Sequence, residues 1–567
     1  MQQLAQRGCK VSGAGDQVRA SFQALSDVFR NPGLRRLELG FAGSVVGDWA
    51  YAVAVSVYAY GQGGPGAVGV LGVVRYLLVA LVTPFTATLA DRLPRKAVMV
   101  SADLVRAALV ALGAGVIFLG GPAFLVYALA IATALVGTPF RPAQAAILPS
   151  LALDSGELTA ANVASSTIES VGFFAGPALG GLLLAVADIP IVYLVNALTF
   201  VWSAALVAGI RAAADPKAEQ PEAASEAATT EARAGFLQEA AAGYSTIFRS
   251  PDLRALVGLY AAQCVVAGAS LVFVVSMALD LFDLGRPGVG YLDSTMGIGG
   301  IVGGVVALVL AQRGRLAFDF GLGVLLWAAP LLLIAAWPAL PGAILALLII
   351  GLANSLVDIN AYTILQRVVP DEVMGRVFGA LESAVIGAMA LGALAMPILI
   401  ATIGIRGGLL VIGAAVSAVT FLVLPRLLSI DKTSLAPAGI GLLRAIPIFE
   451  PLPERIVEKL ARALVRVELA AGEDAVREGE EGDRFYVIES GTLVVTKGHR
   501  WVADLGVGNC FGEIALLRDL PRTATVTAST AVVLQALDRR HFIPAVTGHG
   551  DAHEAAELVV SSRLGLR

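Results

Sequence analysis

Charged residues are scarce in this chain, where only 15% of the 567 residues are Asp, Glu, Lys or Arg. A soluble protein of ordinary composition carries about a quarter. Cysteine and histidine are scarcer still. The three cysteines, Cys9, Cys264 and Cys510, are isolated, and all four histidines lie at or after His499. This pattern excludes a disulfide framework and a paired-cysteine metal site, and it leaves most of the chain without histidine for metal or proton chemistry.

The sequence also lacks the common motifs of catalysis. It contains neither GxSxG, which presents a nucleophilic serine, nor GxxxxGK[ST], which cradles a nucleoside triphosphate. The net charge of −4 is small and does not indicate a partner. We therefore expect no enzyme, no catalytic residues, no metal and no bound cofactor, and nucleic acid is not among the expected partners.

Apolar residues are abundant instead: 57% of the chain is hydrophobic, with a mean hydropathy of +0.78. Long apolar windows recur, each close to the ~20 residues that cross a bilayer. We count twelve, in two sets of six. They span about 37–60, 66–90, 97–119, 122–148, 158–187 and 189–210, then 253–282, 287–312, 317–337, 341–368, 373–402 and 405–428. The pattern predicts a polytopic all-α membrane protein in contact with lipid.

Two features indicate that the two sets are related halves. Residues 212–234 between them are rich in Ala, Glu and Pro, which is typical of a flexible linker. Similar segments, FRNPGLRRL (29–37) and FRSPDLRAL (248–256), precede the first span of each set. A six-helix unit repeated in this way is a transporter architecture.

Lys and Arg in the short loops predict the orientation, because basic loops stay on the cytoplasmic side. Arg92, Arg95 and Lys96 share one loop, and Arg313 with Arg315 lie in another, whereas the alternate loops carry at most one basic residue. We expect a multi-pass protein of the cell membrane with both termini, the linker and the C-terminal region in the cytoplasm.

The loop after the second span carries a recognisable motif. TATLADRLPRK (86–96) resembles the G-x-L-A-D-R-x-G-R-K signature of the major facilitator superfamily at the same place in the fold. In that family the Asp caps a neighbouring helix and pairs with basic residues, which latches one conformation. The resemblance assigns this role to Asp91, Arg92, Arg95 and Lys96, although two signature glycines are replaced here.

The fifth span carries a second motif of the same superfamily. GFFAGPALGG (172–181) fits its G-x-x-x-G-P-x-x-G-G pattern, which is associated with exporters that exchange substrate for protons. Small residues four apart allow helices to touch, and a proline bends the helix. Gly176, Pro177 and Gly180 are therefore further candidates for conformational change.

Charged residues inside apolar spans are costly and mark function by default. Asp48 in the first span and Arg75 in the second lie at similar depths, at 1.5 Å rise per residue, so we expect an ion pair between them. Arg141 and Glu169 are further candidates. A carboxylate in a low-dielectric site can take up and release protons near neutral pH, and Asp48 and Glu169 are the predicted proton carriers.

Other stretches narrow the resemblance within the superfamily. GDWAYAVAV near Asp48, ADLVRAAL (102–109) and FRPAQAAILP (140–149) resemble the branch that contains siderophore and macrolide exporters. The resemblance implies proton-coupled export of an unidentified amphipathic small molecule.

The C-terminal region is polar and differs from all that precedes it. Short alternating segments separated by glycines predict a β jelly roll with flanking helices. Within it, FGEIALLRDLPRTATV (511–526) resembles the phosphate-binding cassette of cyclic nucleotide-binding domains. Gly512 allows backbone N–H groups to approach a cyclic phosphate. Arg522 presents a planar fork of donors to it, and Glu513 can accept from the ribose hydroxyl, with Ile514 and Ala515 completing the motif.

The base and the lid are less well specified. Thr523 follows the arginine, where some cAMP-selective members of the family carry alanine; a hydroxyl there is often linked with cGMP, although some cAMP-responsive members also have it. We prefer cAMP over cGMP as the regulatory ligand. Two helix-like segments, 539–546 and 553–565, are expected to close over the ligand, with Arg563 near the base.

These inferences give a transporter with a fused sensor. We expect an N-terminal cytoplasmic segment (1–36), a first six-helix half (37–210), a linker (211–250), a second half (251–428), a short linker (429–444) and a cyclic nucleotide-binding domain (445–567). Two alternatives stay open: a receptor that has lost transport and anchors the sensor, and an exporter of the cyclic nucleotide itself. No pore-loop signature supports a cation channel.

Overall fold

The computed structural model describes residues 28–210, 243–311, 315–369, 373–434 and 439–564, without the side chains of 84–92, 155, 308, 309, 311, 432–434, 454, 455 and 564. Residues 1–27 and 211–242, which contain most of the predicted N-terminal segment and linker, lie outside the described residues. The chain divides into two compact units, Met1–Lys432 and Thr433–Arg567.

The first unit is built from helices, which confirms the predicted polytopic all-α membrane fold. Ten segments of the described residues are long and apolar enough to cross a membrane, and α3 and α4 together form one of them. The helices are α1 Pro32–Arg92, α2 Arg95–Phe118, α3 Ala123–Gly137, α4 Phe140–Leu151, α5 Ser155–Val186, α6 Ile189–Ala208, α7 Pro251–Ser276 with a wider turn over Met277–Leu281, α8 Gly285–Ala311, α9 Leu316–Ala336, α10 Leu340–Val368 and α11 Met374–Ser434.

Two of the ten segments are much longer than one crossing requires. Pro32–Thr83 has 52 residues and Met374–Asp431 has 58, against about 20 for one span. The backbone leaves the helical region at Gly63 and Gly64 in α1 and at Gly404 in α11, and a glycine adopts such conformations at little cost. Each segment therefore has the length and the hinge for two crossings, and the count of twelve spans stays a prediction.

The internal repeat marks two equivalent helix starts. Asn31 precedes Pro32, and its side-chain oxygen accepts from the backbone N–H of Gly33 at 2.9 Å. Ser250 precedes Pro251 in the same way, and its hydroxyl accepts from the N–H of Leu253 at 3.4 Å. Capping side chains followed by proline at the first helical position are favourable at helix starts. The repeated sequence is thus explained by a repeated helix start.

The described residues of the second unit form two antiparallel sheets and five helices, which confirms the predicted β domain with flanking helices. One sheet has the order β1-β8-β3-β6 and the other β2-β7-β4-β5. The strands are β1 Val465–Leu469, β2 Asp474–Val476, β3 Arg484–Ser490, β4 Leu493–Lys497, β5 Arg500–Leu505, β6 Cys510–Phe511, β7 Thr525–Ala528 and β8 Val532–Asp538. The helices are α12 Ile440–Arg444, α13 Glu454–Arg462, α14 Glu513–Arg518, α15 Arg539–Thr547 and α16 Gly550–Leu564.

Strand β3 connects the two cores of this unit, because successive side chains of a strand point to opposite faces. On one face Phe485 stacks on Phe542 of α15, with ring centroids 4.8 Å apart. On the other face Tyr486 stacks on Phe511 of β6 at 4.9 Å. The second contact fixes the strand that leads directly into the predicted cassette.

Candidate functional site

The predicted phosphate-binding cassette is a sharp turn between β6 and α14. Gly512 lies at the turn with φ of +94°, a conformation that favours glycine. A Cβ at this position would lie 2.6 Å from Nη1 of Arg522 and 2.8 Å from the carbonyl oxygen of Arg484. Both the backbone conformation and the space therefore require glycine. Ala515 packs inward from the following helix, and Ile514 is half-buried.

Arg522 is buried inside this turn and is held by neutral groups. Its side chain donates to the carbonyl oxygens of Gly512 at 3.2 Å and of Arg484 at 2.8 Å, and the residue is only 5% exposed. No carboxylate pairs with it in the described part of the chain. Burial lowers the pKa of Arg522, yet arginine stays cationic at neutral pH. A buried cation bonded only to carbonyls can recognise an anion.

Glu513 lies beside this cation with half of its carboxylate engaged. It is 1% exposed, and Oε1 accepts from Nη1 of Arg563 at 2.7 Å. Oε2 has no hydrogen-bond partner among the described residues. An unpaired buried oxygen is unfavourable, so a hydroxyl or amine of a ligand would find an acceptor here.

Helix α16 is attached to the cassette helix α14 by two ion pairs. One joins Arg563 to Glu513, and the other joins Arg518 to Glu557 at 2.5 Å. Burial, the largest single influence, would lower the pKa of Arg563, but the charges of and hydrogen bonds to Glu513 and Cys510 together raise it. Leu558 on the same helix is 67% exposed. The C-terminal helix therefore contacts the cassette through charges, with an apolar side chain exposed nearby.

The structure adds residues that the motif did not indicate. The backbone N–H of Arg522 donates to the carbonyl of Glu480 at 2.7 Å. At Gly482 a Cβ would lie 2.6 Å from that of Ala515, so the loop passes against the cassette helix. Only the closely spaced glycines of the loop could have suggested this from sequence. Thr523, predicted to influence base choice, is half-buried just before strand β7.

The helical unit encloses a cavity of about 600 Å³, which is large enough for a drug-sized molecule. Its walls come mainly from the first set of helices, with Leu271 and Met389 contributed by the second set. All four predicted transport residues line it. They are Asp48, Arg75, Arg141 and Glu169. The sequence therefore identified side chains that share one internal space.

The pairing inside the cavity differs from the prediction. Asp48 does not pair with Arg75; both of its oxygens accept from Nη2 of Arg106, at 2.6 and 2.7 Å. Asp103, which is fully buried, lies 3.7 Å from the same guanidinium. Asp48 and Arg75 line the same cavity, but the packing of the helices brings Arg106 rather than Arg75 to Asp48.

The other two transport candidates form a pair of their own. Nη2 of Arg141 donates to Oε2 of Glu169 at 2.8 Å, and about half of each side chain is exposed. The Arg141 guanidinium also lies 4.7 Å from the centroid of the Phe41 ring. Both predicted proton carriers, Asp48 and Glu169, are thus bound to an arginine at the cavity wall.

The basic motif after the second span bonds to backbone carbonyls in or beside two other helices. Nη1 of Arg95 donates to the carbonyl of Ala146 at 2.7 Å, and Nζ of Lys96 donates to the carbonyl of Ile210 at 2.8 Å. Ile210 lies just beyond the C-terminal end of α6, where carbonyls lack helical partners, and Ala146 lies in the second half of α4. The side chains of Asp91 and Arg92 lie outside the described residues.

The glycine motif of α5 packs directly on the backbone of α1. A Cβ at Gly180 would lie 2.9 Å from the carbonyl oxygen of Ala50, and one at Gly176 would lie 2.8 Å from that of Val46. On another face of α5, the Pro177 carbonyl borders Gly290 of α8. The motif therefore allows close contact with one helix of each half.

Polar contacts also join the two halves at the ends predicted to face outward. Tyr60 donates to Asp280, and Arg286 donates to Asp188 at 3.2 Å.

Groups of three or more His, Cys, Asp or Glu side chains that could hold a metal do not occur where the structure describes the chain.

Comparison with known families covers both units. A family profile, the Major Facilitator Superfamily, matches residues 37–385. A second profile, the cyclic nucleotide-binding domain, matches residues 466–548. Together they match the predicted fusion of a transporter fold with a nucleotide-binding domain.

Individual relatives match the C-terminal unit alone. A cAMP-dependent protein kinase regulatory subunit of Yarrowia lipolytica is 44% identical over 104 residues, which are 18% of this chain and 28% of that protein. A cGMP-dependent protein kinase of Eimeria tenella is 38% identical over 120 residues, 21% of this chain and 12% of that protein. The chain thus spans less than a third of these relatives. A solved regulatory domain of Toxoplasma gondii PKA with cAMP is 29% identical, covering 22% of this chain and 48% of that one, with a TM-score of 0.20.

The two family profiles agree with the geometry of the two units. The helical unit has the apolar helices and internal cavity of a multi-pass membrane protein, and the C-terminal unit has a jelly roll with a buried arginine in its cassette. The chain belongs to the major facilitator superfamily and carries a C-terminal cyclic nucleotide-binding domain.

Proposed function

We propose that this protein is a proton-coupled exporter of an amphipathic small molecule, controlled by a cyclic nucleotide that binds its C-terminal domain. One observation carries the regulatory part: buried Arg522 has no carboxylate partner within the described residues, and buried Glu513 beside it has an oxygen without a partner. A cyclic nucleotide supplies an anionic phosphate for the first and a ribose hydroxyl for the second. Hydrogen bonds to charged groups contribute about 1.5–3 kcal/mol each.

For the base we propose cAMP over cGMP. In support, a relative that is 44% identical over 104 residues is the regulatory subunit of a cAMP-dependent kinase. The competing observation is that a relative at 38% identity is a cGMP-dependent kinase. Thr523 is the position where the choice is expected to be made.

The lid helix α16 provides a route from ligand to transporter. Because Arg563 bonds to the same carboxylate that would accept the ribose hydroxyl, ligand binding changes the environment of α16. A helix with two positions of similar energy is an element that a ligand can bias, and typical coupling is about 1–3 kcal/mol. We place this domain and both termini on the cytoplasmic side, where cyclic nucleotides are made.

For transport we propose that protonation breaks an ion pair at the cavity wall. Asp48 is bonded to Arg106 and Glu169 to Arg141, so a proton on either carboxylate would release its arginine. The close packing at Gly176 and Gly180, and the bonds of Arg95 and Lys96 to backbone carbonyls of other helical segments, would transmit the resulting rearrangement.

Flux through the full-length protein in liposomes tests this proposal. Fluorescent amphiphiles of both charge signs are offered outside vesicles with an acidic interior, with and without external cAMP, for the wild type and for Asp48→Asn. We expect the wild type to accumulate the amphiphiles inside the vesicles, and an ionophore to abolish this accumulation. Asp48→Asn should not accumulate them, and cAMP should change the wild-type accumulation several-fold. Uptake that survives the ionophore would contradict proton coupling, and uptake that ignores bound cAMP would contradict regulation.

The same vesicles distinguish the two alternative functions. A receptor without transport activity would bind cAMP and accumulate none of the amphiphiles. An exporter of the nucleotide itself would accumulate labelled cAMP by a route that the ionophore abolishes. Either result would replace the proposed exporter.

A further inference from the structure

Among the charged side chains that face the cavity, some form ion pairs with one another and one does not. Five charged side chains line it: three arginines and two carboxylates. Arg106 bonds to Asp48 at 2.6 Å, and Arg141 bonds to Glu169 at 2.8 Å, and each of these arginines also lies over an aromatic ring. Arg75 has no ion-pair partner within the described residues. The cavity wall therefore contains one cation in excess.

An arginine that lacks an ion-pair partner among the described residues can receive an anion. Charges within a membrane-spanning region are costly unless they are paired or hydrated. A guanidinium offers several donors in one plane, which matches the geometry of a carboxylate, sulfonate or phosphate. Asp103 does not change this preference at Arg75, because it is buried behind Arg106 and is absent from the cavity lining.

The rest of the wall suits an apolar or aromatic body. Trp49, Tyr51, Tyr76 and Phe140 contribute rings, and most of the remaining lining is aliphatic. The Trp49 ring meets a neighbouring aromatic ring edge-on, with centroids 4.7 Å apart, which fixes one side of this surface. Binding pockets of this kind combine a mostly apolar wall with a few polar groups that set orientation.

We infer that the cavity binds amphipathic monoanions, with the acidic group on Arg75 and the apolar body against the aromatic wall. The inference rests on the proposed transport function for its physiological meaning, and it names the substrate class of that same cavity. A cationic amphiphile would meet two carboxylates that already have partners and one arginine that repels it.

A matched pair of fluorescent probes tests the charge preference. Anilinonaphthalene sulfonate is an aromatic anion, and phenylnaphthylamine has the same rings without the sulfonate. Binding of each is measured on the full-length protein in lipid nanodiscs, with the signal of empty discs subtracted, and saturating cAMP is present throughout. The variants are Arg75→Gln, Arg75→Lys and, as a matched control, Arg286→Gln, which removes an exposed arginine absent from the cavity lining.

The wild type should bind the sulfonate about tenfold more tightly than the uncharged probe, which corresponds to one charge-assisted contact. Arg75→Gln should remove this preference while leaving the affinity for the uncharged probe unchanged, and Arg75→Lys should retain part of it. The Arg286→Gln protein should behave as the wild type. Equal affinities in the wild type, or an undiminished preference in Arg75→Gln, would overturn the inference.

This assay separates the inference from the proposed function, because it needs neither a pH gradient nor transport. A charge preference that depends on Arg75 in a protein without flux would refute the exporter and leave the binding site established. Proton-driven flux of amphiphiles without any Arg75-dependent preference would refute the substrate class alone.

Discussion

The contact between Glu513 and a ribose hydroxyl gives the sharpest prediction for the C-terminal domain. Glu513→Gln keeps the size of the side chain and removes its charge. The lost interaction is a hydrogen bond to a buried carboxylate, worth about 1.5–3 kcal/mol. Since 1.4 kcal/mol is a tenfold change, the wild type should prefer cAMP over its 2′-deoxy analogue by roughly 10- to 150-fold, and the variant by only a few-fold.

Calorimetric titration of the full-length protein with both ligands measures this preference. Comparing the ratio of affinities in wild type and variant isolates the contact, because effects on folding or on the phosphate cancel. The substitution also removes the partner of Arg563, but a third of that side chain is exposed, so water can solvate it and the fold should survive.

Glu557→Gln is the matched control, because it breaks the other ion pair between α16 and α14 without touching the pocket. It should keep the full preference for cAMP over the deoxy analogue. The reasoning fails if Glu513→Gln retains the wild-type preference, or if both variants lose it equally, which would assign the effect to the lid.

Three further substitutions test other parts of the structure. Gly180→Ala should lower the thermal midpoint of the helical unit, because the new Cβ meets the backbone of Ala50. Gly115→Ala, with open space around the new Cβ, should be neutral or slightly stabilising. The opposite ranking of the two midpoints would refute the close contact between α5 and α1. Thr523→Ala should weaken cGMP binding and leave cAMP binding within a few-fold in calorimetry; equal losses for both ligands would contradict its role in base choice. A hydrogen bond from a threonine of the paired strand, and then one from a neighbouring arginine, lower the pKa of Asp474 in the folded protein. The ionised carboxylate therefore stabilises the fold above the unfolded pKa of about 3.9. This contribution is lost as the pH falls through the lower pKa of the folded state. The midpoint difference between the wild type and Asp474→Asn, followed by scanning calorimetry, should therefore be small but measurable at neutral pH and vanish in acid; a difference that grows in acid would contradict the sign.

The cassette was predictable because its ligand-binding groups are close in sequence. Gly512, Glu513 and Arg522 occupy one stretch, and a single turn brings them together. The groups that hold Arg522 were not predictable in this way, since the carbonyls of Glu480 and Arg484 come from a different loop and strand. Backbone carbonyls carry no side-chain signature, so only the folded sheet reveals them.

In the cavity, too, the positions of residues along the chain were predictable, whereas the contacts between helices were not. The rise per residue placed Asp48 and Arg75 at similar depth, and both do line one cavity. Which side chains meet depends on how the helices rotate and pack, and here the partner of Asp48 is Arg106 from the next helix. Likewise, apolar windows indicated helices long enough to cross a membrane, but the glycine hinge within α11 depends on the conformation of Gly404.

The central claim is that the C-terminal domain senses a cyclic nucleotide through Arg522. Calorimetric titration of the full-length protein with cAMP, for the wild type, Arg522→Lys and Arg522→Gln, tests it most directly. We predict one saturable site per chain in the wild type, weaker binding in the lysine variant, and a loss of about a hundredfold or more in the glutamine variant, as for a buried charge pair with one partner removed. Saturable binding of equal affinity in all three proteins, or no binding by a folded wild type, would contradict the claim.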